Sequence, residues 1–221
     1  MGSRGKNIVA KVFVTTAISG IIYFKMEGKN IRIDWGDGMP ATVKPGDFNG
    51  LITYYYPGSS ARTITISGVL SWFYLNELGI TQIDVRDAPE LLLLSCQNNY
   101  LTSLDLSRNT RLRWLGCDGN SLTSLDVSKN TALNELTCLG NSLSSLDVSA
   151  NTKLEWLDCE SNQIDTADAI DDLFDTLPPR TADDKGRIYI GGNGGADDCD
   201  VSIARDKNWV VLRKEIKSII N

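Results

Sequence analysis

The sequence predicts an α+β multi-domain chain with three parts: a small antiparallel β-sandwich over 8–68, a solenoid of 21-residue repeats over 69–166, and an α/β cap over 167–221. Three observations carry this. Almost the same text returns every 21 residues, as "LLLLSCQNNYLTSLDLSRNTR", "LRWLGCDGNSLTSLDVSKNTA" and "LNELTCLGNSLSSLDVSANTK". Ahead of it, short segments alternate apolar and polar residues between Gly, Asn and Pro breaks. Behind it, the repeat decays into one amphipathic stretch and two strand-like ones.

At 221 residues, 42% hydrophobic and 23% charged, the chain is long enough for one large or two modest domains. Its best membrane candidate, "IVAKVFVTTAISGIIYF", is interrupted by Lys11 and by a Thr/Ser/Gly break, short of the roughly 20 apolar residues a spanning helix needs. Nor does it read as a signal peptide. A formal net charge of -6, with no basic cluster beyond "RKEIK" near the end, argues against a nucleic-acid surface.

In the first part the segments "IVAKVFV", "GIIYFKM", "NIRIDWG", "LITYYYP" and "RTITISG" alternate as strands of an antiparallel sandwich do. Asp34 and Asp37 flank Gly36 and Gly38 in "IDWGDG", where glycines supply unusual backbone angles, so turn chemistry is expected there rather than metal binding. "IRIDWGDG" followed by "YYYPGSSARTITISG" resembles the PKD-like immunoglobulin-type module of bacterial surface proteins.

In the 21-residue register Leu91, Leu112, Leu133 and Leu154 align, as do Leu94, Leu115, Leu136 and Leu157. Cys96, Cys117, Cys138 and Cys159 follow, then Asn99, Asn120, Asn141 and Asn162, then Leu101, Leu122, Leu143 and Ile164. This L-x-x-L-x-C-x-x-N-x-L pattern resembles the leucine-rich repeat, in a short bacterial form ending "LTSLDLSxNT". Each repeat is then one solenoid turn that cannot bury its apolar face alone, so coils must stack. The asparagines are expected to form a ladder serving backbone groups of adjacent coils. One inward thiol per coil makes the cysteines small, free core residues, because a straight column does not converge as a zinc site requires. No cofactor is expected.

Residues between the inward ones should form the exposed sheet face. The register places Leu93, Trp114, Glu135 and Trp156 in one column, Ser95, Gly116, Thr137 and Asp158 in the next, and Gln97, Asp118, Leu139 and Glu160 in a third. A degenerate earlier coil adds Trp72, Tyr74 and Asn76. The candidate ligand-binding residues are thus Trp72, Tyr74, Leu93, Gln97, Trp114, Asp118, Glu135, Thr137, Trp156, Asp158 and Glu160. Trp72, Trp114 and Trp156 recur every second coil and serve either as contacts for a partner or as cover for neighbouring coils.

In the last part "DAIDDLFDTLPPR" reads as a helix stopped by Pro178, "GRIYIGG" as a strand, and "CDVSIARDKNWVVL" as a short helix and a strand. Together they resemble the cap that closes such arrays in gut Bacteroidetes proteins, covering the last coil's core. "GGNGGADDC" is similar to a calcium-binding glycine repeat, but Ala196 stands where an Asp is needed, and the stretch reads as a turn.

The chain contains no histidine, which removes every catalytic scheme built on imidazole. Asp118, Asp158 and Glu160 share the sheet face, but a shallow face desolvates no acid, so they are expected to form a solvated acidic rim rather than a glycosidase pair. The expectation is a non-enzymatic binding or adhesion protein with a protein or carbohydrate ligand. Its resemblance to bacterial surface proteins implies display at the cell surface or secretion. The alternatives are a structural spacer and an intracellular interaction scaffold.

Overall fold

A computed structural model describes residues 10–16, 20–56 and 60–213. The first two residues of the expected strand "IVAKVFV", part of the turn after Tyr56 and all but the first residue of "RKEIK" lie outside the described residues.

The described strands join into one sheet. Five long or medium strands open it: β1 (Ala10–Thr16), β2 (Gly20–Asp34), β3 (Thr42–Tyr56), β4 (Arg62–Tyr74) and β5 (Ile80–Asp84). They pair antiparallel, in the order β3-β2-β4-β1-β5. The expected sandwich of two sheets is therefore corrected to one sheet, and the segments "GIIYFKM" and "NIRIDWG" are parts of a single strand, β2.

The crease in that sheet has a local cause. In β2 the buried residues switch from Ile22, Phe24 and Met26 to Ile31 and Ile33, a change of parity that an ordinary strand cannot make without turning its apolar set to water. Asn30 sits at the switch with φ 53°, and the pairing with β3 and β4 slips there, as at a β-bulge. Gly68 crosses opposite with φ 137°, where a Cβ would stand 2.9 Å from the carbonyl oxygens of Lys29 and Asn30. The bend brings Phe24 to 5.9 Å from Trp35, eleven positions along the same chain. Stretched out, that separation would be roughly 35 Å. Trp35 then stacks on Tyr54 at 4.1 Å, and Tyr56 donates its hydroxyl to the Trp35 carbonyl at 2.5 Å. The two layers are halves of one folded sheet, closed by aromatic contacts.

β4 belongs to both neighbours. Its first half pairs with β1, and its last three residues, Trp72–Tyr74, pair parallel with Leu93–Ser95. From there four three-residue strands continue the sheet: β6 (Leu93–Ser95), β7 (Trp114–Gly116), β8 (Glu135–Thr137) and β9 (Trp156–Asp158). Hydrogen-bonded partners in β6 to β9 lie 21 positions apart, Leu93 opposite Trp114 and Trp114 opposite Glu135. The expected boundary at 68/69 thus falls inside β4, and the buried apolar residues from Val14 to Trp209 form one continuous core.

Inside the coils the aligned Leu, Val and Cys residues are almost fully buried. Each Asn of the first ladder serves two coils. Asn120 donates Nδ2 to the carbonyls of Cys96 (3.0 Å) and Cys117 (2.9 Å), and its Oδ1 accepts from the Leu101 N–H (3.0 Å). The same geometry repeats at Asn99, Asn141 and Asn162. A second ladder, which the sequence reading did not single out, runs through Asn109, Asn130 and Asn151 on the return side. On the outer turns Asp105, Asp126 and Asp147 each accept the N–H two residues on, fixing the tight bend.

The cap follows. α1 (Ala167–Thr176) is N-capped by Thr166, whose side chain accepts from the Ala169 N–H, and buries Ile170, Leu173 and Phe174 along one face. Lys207 donates to the carbonyls of Phe174 and Asp175 near its end. β10 (Gly186–Tyr189) adds to β9, β11 (Trp209–Leu212) adds to β10 as the last strand, and α2 (Val201–Asp206) packs against β11 and α1. Arg180 ties the cap back to the last coil through Glu155, at 3.3 Å.

Candidate functional site

The parallel register assembles the face that the repeat predicts. Trp72, Leu93, Trp114, Glu135, Trp156 and Arg187 stand opposite one another in successive strands, and Tyr74, Ser95, Gly116, Thr137, Asp158 and Tyr189 form the adjoining column. Arg187 and Tyr189 come from the cap and extend both columns, although no repeat signal marks them.

The tryptophans differ in how they lie. Trp72 is 38% exposed and Glu135 is exposed, whereas Trp114 and Trp156 are half-buried. A Cβ on Gly116 would overlap the Trp114 Cη2 and stand 2.9 Å from its Cζ3, so the indole lies over the glycine backbone. Trp156 leans on Tyr189, with ring centroids 4.8 Å apart. The covering role foreseen for the indoles is met by Trp114 and Trp156, which rest on Gly116 and Tyr189 and stay half-buried.

In the third column Gln97 and Leu139 are half-buried and Asp118 and Glu160 buried. Asp118 is buried, and its Oδ2 accepts from Gln97 Nε2 and, at 3.0 Å, from the Thr137 hydroxyl, while Oδ1 accepts from the Leu139 N–H at 3.1 Å. Burial pushes its carboxyl above the ordinary range, and the three donors oppose that rise. Upstream, Asn76 accepts from the Ser95 hydroxyl (2.7 Å) and the Gln97 N–H (2.9 Å) and donates to Gln97 Oε1 (3.1 Å). Glu160 is buried too, and its N–H donates to Asp158 Oδ1. The solvated acidic rim is therefore corrected: Asp118 and Glu160 are buried on the sheet face, Asp118 between Gln97 and Thr137 of the adjacent coils. Of the expected contacts, Asp118 and Glu160 are withdrawn from the surface, and the partly accessible ones are Trp72, Tyr74, Leu93, Gln97, Trp114, Glu135, Thr137, Trp156 and Asp158.

The cysteine column is sealed. Cys96, Cys117, Cys138 and Cys159 are fully buried and free, as is nearly buried Cys199. Burial pushes the Cys96 thiol up to about 12, and those of Cys117, Cys138 and Cys159 well above the ordinary value for the same reason. In the N-terminal part Asp34 and Asp37 accept the N–H groups of Gly36 and Met39, and Tyr54 donates to Asp37 at 2.6 Å, which is turn chemistry.

No protein-family model and no curated protein matches the chain. Among solved structures it is similar to the functional domain of InlJ from Listeria monocytogenes, described as including a cysteine ladder. The identity is 28% and the TM-score 0.49, over 61% of this chain and 27% of that one. It is also similar to an internalin, inlF, from Listeria monocytogenes, at 22% identity and TM-score 0.53, over 65% of this chain and 41% of that one. The second likeness shows the fold, a leucine-rich repeat solenoid. The chain spans less than half the length of either structure. Among the described residues no helix is long and apolar enough to cross a membrane.

Proposed function

We propose that this chain is a non-enzymatic binding or adhesion protein that recognises a protein or carbohydrate ligand through the open face of β4 and β6 to β9. One observation carries the reading: Trp72, Trp114 and Trp156 stand in register on one side of a rigid sheet, each with part of its ring open to solvent. Half-buried indoles supply large contact area with little side-chain entropy left to lose. The carboxylates do not compete with this reading, since Asp118 is occupied by three donors of the chain itself. The resemblance to bacterial surface proteins supports display at the cell surface or secretion.

The test is a glycan and protein binding screen on the wild type beside a Trp114→Ala/Trp156→Ala variant shown to be folded by circular dichroism. Binding by the wild type alone supports a recognition face. A ligand bound equally by both would move recognition elsewhere on the molecule. The second reading, a structural spacer, draws on the internal hydrogen bonds of Asn76, Gln97, Asp118 and Thr137, which serve the sheet and no partner. It expects no ligand from either protein.

A further inference from the structure

Resting on that reading, we infer that the face takes an extended β-1,4-linked glycan, neutral or amino-bearing, laid across the strands with alternate sugar rings on Trp72, Trp114 and Trp156. The spacing is the first argument. The three indoles occupy one column at every second strand, about 10 Å apart when strands are spaced by roughly 4.8 Å. A β-1,4-linked hexose chain in its extended form turns each ring over relative to the last, so it presents the same face at every second sugar. A platform repeating at every second coil therefore meets equivalent ring faces in succession. An extended peptide repeats its side chains at about 7 Å along one face, out of step with this column. A bound helix favours a groove, and an open sheet provides none.

The posture of the rings is the second argument. The Trp114 indole lies on Gly116, and Trp156 is braced by Tyr189. A ring held against the sheet is pre-positioned to stack its outer surface on the C–H face of a sugar, with little ordering cost at binding. Between the indoles stand Leu93 and Glu135, the latter exposed, and Thr137 and Asp158 lie in the adjoining column. Glu135, exposed between two indoles, meets the hydroxyls at the ring edge.

Charge decides which glycans fit. Exposed Glu135 stands between two indoles and Asp158 lies in the adjoining column, with exposed Arg187 at the cap end only, on a chain whose formal net charge is -6, so sulfated and uronate-rich polymers are disfavoured along the indoles, whereas a protonated amino sugar is attracted.

The experiment is isothermal titration of the full chain with cellohexaose, glucosamine hexaose, their disaccharides, maltohexaose and heparin. The expected result is binding of one or both β-1,4 hexasaccharides at least about tenfold tighter than the matching disaccharide, because a longer chain engages several indoles at once. Maltohexaose, whose α-linkages coil the chain, and heparin should not bind. Trp114→Ala should weaken hexasaccharide binding about tenfold or more, Trp114→Tyr should recover most of it, and Glu135→Gln should weaken the amino form alone. Equal affinity for hexasaccharide and disaccharide, or for maltohexaose, overturns the inference, as does binding insensitive to Trp114→Ala. If every glycan fails while a protein binds in a Trp114-dependent way, the glycan assignment falls and the recognition face stands. If nothing binds the face, both fall.

Discussion

The indole of Trp114 rests on Gly116 because glycine carries no side chain to hold it away. Gly116→Ala is therefore expected to lift the ring off the sheet, lowering stability by about 1–3 kcal/mol as overpacking does and shifting tryptophan emission to the red. An unchanged spectrum would show that the ring lies elsewhere. Asp118 yields a pH signature. Its folded-state carboxyl titrates above the ordinary range through burial, so the folded protein holds that proton more tightly than the unfolded chain does. As pH falls through this raised pKa, stability should rise, and it should gain nothing more from Asp118 below the unfolded value. Asp105, Asp126 and Asp147 act in the opposite sense. Their hydrogen bonds from Ser107, Ser128 and Ser149 hold them below the ordinary range, so their contribution is lost only at lower pH. Urea unfolding measured across the carboxylate range should show the upward step in the wild type and not in Asp118→Asn. A wild type without that step would overturn the burial that raises the Asp118 carboxyl.

At the level of elements, the asparagine ladder does what hydrogen-bonded strands do elsewhere, joining neighbours through backbone groups that burial would otherwise leave unpaired. Asn120→Ala leaves the Leu101 N–H without its acceptor, while the Cys96 and Cys117 carbonyls keep Asn99 and Asn141 as donors, and at about 1–3 kcal/mol per buried unsatisfied group should cost about that much, read from the urea midpoint. Asn193 occupies the same position at the cap: it donates to the Cys159 and Ile190 carbonyls, and its Oδ1 accepts from the Asn162 and Ile164 N–H groups. Asn193→Ala is expected to raise hydrogen exchange over the cap while leaving β6 to β8 protected. Exchange that rises evenly along the chain would deny Asn193 its role as the last rung. The cysteine column makes a simpler claim. Folded protein should resist a thiol reagent, and unfolded protein should react at all five cysteines. Fewer than five would reveal disulfides.

For the whole molecule, the decisive feature is that β4 is at once a strand of the creased sheet and the first strand of the solenoid. A repeat array alone unfolds by loss of neighbour contacts and can come apart from an end. Here the folded sheet covers one end, the α/β cap covers the other, and the apolar core is continuous between them. The five tryptophans report on all three regions, with Trp35 in the creased sheet, Trp72, Trp114 and Trp156 in the solenoid, and Trp209 in the cap. Tryptophan emission and far-ultraviolet circular dichroism should therefore follow one coincident urea transition. Separated midpoints would mean that the creased sheet or the cap folds as an independent unit.

The sequence by itself determined what repetition encodes: which residues of each coil point inward, the asparagine ladder from Asn99 to Asn162, the column of buried thiols, and the register that lines up Trp72, Trp114 and Trp156. Those features come from local patterns copied coil after coil, and each copy reinforces the reading. Tertiary structure alone decided the rest. The crease at Asn30 and Gly68 depends on three strands meeting, which no single segment announces. Asn193 joins the ladder from 31 positions beyond Asn162 because the cap's chain returns to that spot in space. Asp118 looks like a surface acid in its own coil and becomes a buried one between Gln97 and Thr137. Burial is a property of what neighbouring coils bring together, and it is fixed only when they stack.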